Sequence, residues 1–209
     1  PISEPWLQDN IPAIVEAWEP GNLGGQAVAE VLFGEVNPSG KLPLTIARSV
    51  GQLRMIYNHK PSAYFHKYAD ESKTPLYPFG FGLSYTNYTY GKPTLSNGSL
   101  SGNEKITVSV EVSNTGEFDG EEIVQLYIRD NVSSATRPVK ELKEYQRVVL
   151  NTGETKTVEF TLDAGSLAFY DINMEYCVEP GEFTIMTGSS SARKDLKITT
   201  LTVNDKIEL

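Results

Sequence analysis

The side chains with the clearest chemical potential lie in an irregular polar and aromatic stretch at residues 57–68. It reads Tyr57, Asn58, His59, Lys60 and Pro61, then Tyr64, Phe65, His66, Lys67 and Tyr68. Long irregular loops in compact proteins are often functional. Aromatic rings stack on the C–H faces of sugars, and Asn, His and Lys side chains hydrogen-bond hydroxyl groups. The stretch is therefore a candidate carbohydrate contact, although its rings also fit packing of the loop onto a neighbouring domain.

The other reactive residue types form no recognisable catalytic or metal-binding pattern. The two histidines, His59 and His66, lack the spacing of a ligand pair. Cys177 is the single cysteine, so these residues cannot form an internal disulfide. Its strand-like surroundings favour a small buried side chain over a reactive thiol. We expect no metal and no other cofactor.

A glycine-rich turn at residues 20–25 precedes a predicted helix. Such a turn before a helix N-terminus can hold phosphate or another anion. This one matches neither G-x-G-x-x-G nor a P-loop, which needs G-K-[ST]. Tight packing between strand and helix is the favoured alternative.

Composition narrows the possible partners. The chain has 209 residues and a formal net charge of −9. An acidic balance argues against a nucleic-acid partner, because phosphate binding needs clusters of Lys and Arg. The sequence contains no apolar run of the length that a membrane-spanning helix needs, so we expect no membrane span.

The first block, up to about residue 46, is predicted to be α/β. Residues 14–18 are a short apolar run that indicates a buried strand end, and residues 26–33 carry a one-sided apolar pattern typical of a helix. Gly34 is a suitable residue to end that helix. Residues 42–46 indicate a second strand, which Pro43 places at an edge or terminus. One such unit cannot bury both faces of its sheet, so we expect it to be the tail of a larger α/β domain.

Residues 74–86, TPLYPFGFGLSYT, join the two halves of the chain. Pro75 and Pro78 fix φ and favour extended neighbours, whereas Gly80 and Gly82 permit turns or close backbone approach. The rings between them are too apolar to remain in water. We predict an ordered, pinned linker.

The second half alternates with the period of two that is typical of strands. The alternation is clear at residues 106–112, 124–129 and 158–162, and further strands start at 183 and 196. Turn signals such as Asp119-Gly120 and Glu179-Pro180-Gly181 separate them. This indicates an antiparallel β-sandwich of about seven strands. Tyr127 and Tyr145 are a possible sugar-binding platform on it, with packing as the commoner role for such rings.

Several motifs together resemble the C-terminal portion of family 3 glycoside hydrolases, the β-glucosidase and β-xylosidase group. They are EAWEPG at 16–21, GGQA at 24–27, AEVLF at 29–33, GEVNPSGKLP at 34–43, YNHKP at 57–61, LYPFGFGLSYT at 76–86, VSNTG at 112–116, DGEEIVQLY at 119–127, RPVKELK at 137–143 and EPGEF at 179–183. The resemblance covers essentially the whole chain, in family order.

The resemblance implies three segments and a reaction. Residues 1–62 would end the family's α/β sandwich domain, 63–87 would be the linker, and 88–209 a fibronectin type III-like antiparallel β-sandwich. Family members hydrolyse terminal β-linked sugars with retention, using an Asp nucleophile and usually a Glu acid/base. Neither position is matched here, so we expect both carboxylates upstream of Pro1, in N-terminal catalytic domains of the same protein.

The resulting hypothesis is a retaining exo-acting β-glycosidase, a β-glucosidase acting on terminal non-reducing β-D-glucosyl residues of oligosaccharides or glycosides. This portion would shape the pocket wall and brace the catalytic domains, with His59, Lys60, Tyr64, Phe65 and Tyr68 as substrate contacts. The resemblance also implies a secreted or periplasmic protein. The alternative is a non-catalytic module that binds polysaccharide or spaces domains.

Overall fold

The computed structural model describes residues 3–52, 54–61 and 68–209. In the first block, helix α1 spans Pro5–Asn10 and helix α2 spans Gly24–Leu32. α2 confirms the helix predicted at 26–33, and Gly34 follows it in the left-handed region at φ 78°. A Cβ on Gly24 would lie 2.4 Å from Cγ of Pro20, so the glycine-rich turn allows close packing of the chain on itself.

The two strands predicted in this block are not formed as such. Residues 14–18 are exposed and, within the described chain, belong to no strand, so that prediction is wrong for this structure. A strand requires a hydrogen-bonded neighbour, and none of the described residues provides one there. Residues 42–46 instead lie along the linker. Leu42 donates its N–H to Phe81 O (2.8 Å), Gly80 donates to Leu42 O (2.8 Å), and Ile46 forms an antiparallel bridge with Tyr77.

The second half consists mainly of strands. They are β1 (Tyr88–Tyr90), β2 (Thr94–Leu95), β3 (Ser99–Leu100), β4 (Ile106–Asn114), β5 (Gly120–Asp130), β6 (Glu141–Leu150), β7 (Thr155–Leu162), β8 (Phe169–Tyr170), β9 (Tyr176–Val178), β10 (Gly181–Gly188), β11 (Leu196–Val203) and β12 (Ile207–Glu208). A short helix α3 (Ala164–Leu167) follows β7, and a 3₁₀ turn spans Arg193–Asp195. The structure has more strands than predicted because several are only two or three residues long.

Two main sheets enclose the core. In one, β4 pairs with β1, β2 and β7, and the other has the order β3-β11-β10-β5-β6. The pairs are antiparallel except for β11 with β3. A small sheet, β12-β9-β8, lies beside them. Alternate residues of the long strands point inward, as the period of two predicted, and Val108, Val124, Phe160 and Ile185 are among those buried.

Strand β5 departs from this alternation because it is covered on both faces. Residues 124–128 are all buried, including Gln125 and Tyr127 on the face away from the core. The linker lies on that outer face, where Gln125 donates its Nε2–H to Gly80 O at 3.1 Å. The predicted pinned linker is therefore part of the sandwich's packing.

Candidate functional site

The candidate loop begins on an aromatic stack. The Tyr57 ring is stacked on Phe79 of the linker with centroids 4.3 Å apart, and it meets Tyr127 of β5 edge-on at 5.9 Å. The Leu142 N–H of β6 donates to the Tyr57 hydroxyl oxygen at 3.2 Å. Three segments distant in sequence thus fix where the loop starts. Burial raises the pKa of the Tyr127 hydroxyl, which stays protonated and donates to Gln125 Oε1.

This stack corrects one interpretation of the sequence. Tyr127 has no exposed surface, so it cannot form a sugar-binding platform with Tyr145, which is exposed on β6. The alternation along β5 correctly predicted that the Tyr127 side chain points away from the core. The alternation did not indicate that the loop and the linker cover that face.

The structure describes three of the five residues predicted to contact substrate, His59, Lys60 and Tyr68. His59 is half-buried, and its backbone oxygen accepts from the Val139 N–H at 3.0 Å. His59 Nδ1 lies 3.0 Å from the backbone oxygen of Lys60, whose own side chain is exposed. Tyr68 is also exposed. Tyr64 and Phe65 lie outside the described residues.

A cleft with a volume of about 200 Å³ lies beside this loop. Its wall includes Pro61, Asp130 at the end of β5, and Arg137 on the connection between β5 and β6. The Arg137 guanidinium makes two contacts that hold it in place. It pairs with Glu141 at 2.7 Å, and its guanidinium carbon lies 4.5 Å from the centroid of the Phe169 ring. Burial raises the pKa of Asp130, and the Arg137 charge opposes that rise.

A second cluster ties the first block to the sandwich. Glu122 of β5 is 2% exposed and pairs with Lys41 Nζ at 3.0 Å. Tyr90 donates its hydroxyl proton to Glu122 Oε1 at 2.6 Å. Burial, followed by the Glu122 charge, raises the Tyr90 pKa, so this donor stays protonated. The ammonium also lies 3.4 Å from Gly82 O in the linker.

Asn37 forms a similar bridge with its side-chain amide. Its Oδ1 accepts from the Tyr85 N–H and from the Ser84 hydroxyl, both at 2.8 Å, and its Nδ2 donates to Asp119 O at 2.9 Å. Polar contacts, several of them half-buried, therefore join the first block, the linker and the sandwich. Sequence reasoning recognised the motifs that contain these residues but not that they contact one another.

Neither cluster has the arrangement of a catalytic centre. Glu122 is paired with Lys41, and the other deeply buried carboxylate among the described residues, Asp171, accepts from Lys206 Nζ at 3.2 Å. In the described part of the chain, no three His, Cys, Asp or Glu side chains come together as a metal site. The same residues include no helix long and apolar enough to cross a membrane.

Two segments of the chain match known protein domain families. Residues 122–191 match a fibronectin type III-like domain, which agrees with the sandwich, and residues 1–85 match the glycosyl hydrolase family 3 C-terminal domain. The chain belongs to glycoside hydrolase family 3 and corresponds to its C-terminal portion. This confirms the family resemblance and the predicted order of an α/β block followed by an all-β domain.

The known relatives are similar in sequence to this chain over most of its length. It is 47% identical over 97% of its length to a β-xylosidase of Formosa agariphila, and 46% identical over 87% to a periplasmic β-glucosidase of Salmonella typhimurium. The solved structure of a β-glucosidase from Erythrobacter marinus superposes with a TM-score of 0.90 at 47% identity over 94% of this chain, which is 26% of that chain. This chain spans 28% and 25% of the two curated relatives, about a quarter of their length.

Proposed function

We propose that this chain belongs to a retaining, exo-acting β-glycosidase, specifically a β-glucosidase that releases terminal β-D-glucosyl residues. The observation that carries the proposal is the match of both family segments, in order, on a chain whose relatives are named β-glucosidases and β-xylosidases. The role of these residues is to brace the catalytic domains and to form one wall of the substrate pocket.

The chemistry itself is assigned to residues outside this chain. Retention requires two carboxyl groups about 5–5.5 Å apart on either side of the glycosidic bond. Both deeply buried carboxylates here, Glu122 and Asp171, are bound by lysines, which suits a structural role. We therefore place the Asp nucleophile and the Glu acid/base in N-terminal catalytic domains.

Exposed apolar side chains in the first block support that arrangement. Trp6, Trp18, Leu32 and Phe33 are exposed, and two of them lie at the end of α2. Leu32 and Phe33 adjoin one another, and exposed large apolar side chains that lie together mark an interaction site. We propose that the catalytic domains cover these side chains.

The first test is hydrolysis of an aryl β-glucoside by the full-length protein and by the 209-residue chain, with the intact mass checked in each sample. We expect activity from the full-length protein alone. Activity from a sample whose only mass is 23.1 kDa would place a catalytic pair inside these residues and overturn the proposal. The ratio of activity on β-glucoside to that on β-xyloside separates the two named specificities.

The second test concerns the loop. We propose that His59, Lys60, Tyr64, Phe65 and Tyr68 contact substrate or order the loop. A single hydrogen bond to substrate contributes about 0.5–1.5 kcal/mol, so Lys60→Ala should raise KM roughly 2- to 10-fold with kcat nearly unchanged. Lys105→Ala, an exposed lysine on the sandwich, is the matched control. Equal KM values for the two variants would remove Lys60 from the set.

Tyr57 is proposed as a positioning residue for the same loop. Tyr57→Phe keeps the stack on Phe79 and removes the acceptor of the Leu142 N–H. It should change KM less than Tyr57→Ala, which also removes the stack. If the two Tyr57 variants lower the thermal midpoint in the same order as they lower activity, the role of Tyr57 is purely structural.

We also propose that the parent protein is secreted or periplasmic. The support is the relative named a periplasmic β-glucosidase. Fractionation of cells that express the full-length gene tests this, and activity confined to the cytoplasmic fraction would contradict it.

A further inference from the structure

The hairpin formed by β8 and β9 presents four large apolar side chains to solvent. Tyr170 is 60% exposed, Ile172 74%, Met174 74% and Tyr176 41%. The two tyrosines are cross-strand neighbours, and their ring centroids lie 5.0 Å apart. We call these four residues the tyrosine tip. An exposed apolar patch on an otherwise polar domain marks a contact surface.

The turn that carries the tip is held firmly from below. Asp171, 5% exposed, accepts at Oδ1 from the N–H groups of Asn173 (2.8 Å) and Glu175 (3.0 Å). Its Oδ2 accepts from Lys206 Nζ at 3.2 Å. The backbone adds two bonds: the Asp171 N–H donates to Glu175 O and the Met174 N–H donates to Asp171 O, both at 3.0 Å. The tip is therefore an ordered surface.

Met174 adds an independent indication of function. Its φ is 65°, in the left-handed region where glycine is favoured and a long side chain is unfavourable. The side chain contributes nothing to the core, because it is 74% exposed. Strained backbone of this kind is common at contact sites, so we include Met174 in the proposed contact surface.

The tip lies at the same end of the sandwich as the candidate loop. Ile172 donates its N–H to Ser134 Oγ at 3.3 Å, and Ser134 belongs to the connection between β5 and β6. Arg137 of that connection lies over Phe169, the neighbour of Tyr170, and lines the cleft together with Pro61. A continuous series of contacts thus links the tip to the loop that contains His59.

We infer that the tyrosine tip binds the distal part of a neutral β-linked glycan whose terminal sugar is held beside the His59 loop. Two solvent-exposed tyrosine rings suit a sugar face, since such rings combine an apolar body with a polar end. The tip carries no charge, its neighbours Glu175 and Lys206 are paired, and the protein is acidic, so a polyanion is disfavoured. The inference rests on the proposed glycosidase function.

The test uses the full-length protein and a soluble β-glucan in affinity gel electrophoresis. The variant is Tyr170→Ala combined with Tyr176→Ala, and the control is Phe118→Ala, another exposed ring, which lies just before β5. We expect the dissociation constant for glucan to rise about tenfold in the double variant and to stay unchanged in the control. KM for a β-linked pentasaccharide should rise more than KM for an aryl β-glucoside.

A second variant separates binding from folding. Met174→Gly relieves the left-handed backbone, so the thermal midpoint should be kept or raised while glucan retardation weakens. Retardation equal to that of the unmodified protein in both variants would overturn the inference. So would a change in sedimentation of the double variant without a change in retardation, which would assign the tip to a second copy of the protein. If the unmodified protein is retarded by glucan but hydrolyses no aryl β-glucoside, the glycosidase proposal is rejected and glucan binding by the tyrosine tip is retained.

Discussion

The ion pair between Lys41 and Glu122 gives the sharpest test of how the two halves are held together. Glu122 is 2% exposed and Lys41 12%, and the remaining donor to the carboxylate is the Tyr90 hydroxyl at 2.6 Å. Lys41→Met leaves a buried carboxylate without its counter-charge. Removing one partner of a buried pair destabilises by about 3–5 kcal/mol. With a urea dependence of about 1–3 kcal/mol per M, the unfolding midpoint should fall by roughly 1–5 M.

The neighbouring residue provides a matched control. Glu121 pairs with Arg147 at 2.9 Å, but these side chains are 37% and 62% exposed. Exposed pairs contribute about 0–1 kcal/mol, so Arg147→Met should barely move the midpoint. Circular dichroism of the strands in the 209-residue chain reports both transitions. Equal shifts for the two variants would refute the assignment of the Lys41–Glu122 pair as a buried connection.

A double variant separates charge from packing. Lys41→Met with Glu122→Gln removes the unpaired charge and keeps an acceptor for the Tyr90 hydroxyl. Replacing a buried ion pair by neutral groups is often close to neutral in stability. The double variant should therefore recover most of the loss. A loss equal to or greater than that of Lys41→Met alone would show that the pair contributes net stability by itself.

Three further outcomes are expected. Gly82→Ala would place a Cβ 2.1 Å from Gly40 O and should destabilise the chain by about 2 kcal/mol, whereas Gly98→Ala, with open space around it, should stay within about 0.5 kcal/mol in the same urea titration. The Glu175 amide, with Lys206, holds the pKa of the Asp171 carboxyl below its usual range. The stability that ionised Asp171 contributes is therefore complete above about pH 4 and is lost as pH falls through the lower folded-state pKa. The NMR chemical shifts of the backbone amides in the tyrosine tip should show this titration, and Asp171→Asn should abolish it. Burial raises the pKa of Cys177, so an aromatic disulfide reagent should react with it only in denaturant.

Sequence reasoning succeeded where the signal is local. The period of two located the long strands, and Gly34 marked the end of α2 correctly. Residues 14–18 failed because a strand depends on a partner, and their apolar pattern carried no information about which residues supply one. The prediction that Cys177 is buried is confirmed.

The contacts that position the candidate loop are non-local, which is why the sequence did not predict them. Tyr57 reaches Leu142 across 85 positions, and Asn37 reaches Asp119 across 82. Composition indicated that the rings near residue 57 could bind or pack, and left both open. The structure assigns Tyr57 to packing, whereas the roles of His59 and Lys60 remain predictions.

The Asn37 amide also bears on how this protein could be recombined with its relatives. A crossover placed at the start of β1, where the sandwich strands begin, would separate Asn37 from its acceptor Asp119 O and Lys41 from Glu122. The Asp119 acceptor is a backbone oxygen that any parent supplies, but the Lys41–Glu122 pair needs both side chains, and each parent would contribute one half of it. The unit that can be exchanged intact therefore starts near residue 37, and chimeric proteins joined there should tolerate sequence divergence better than those joined at residue 88.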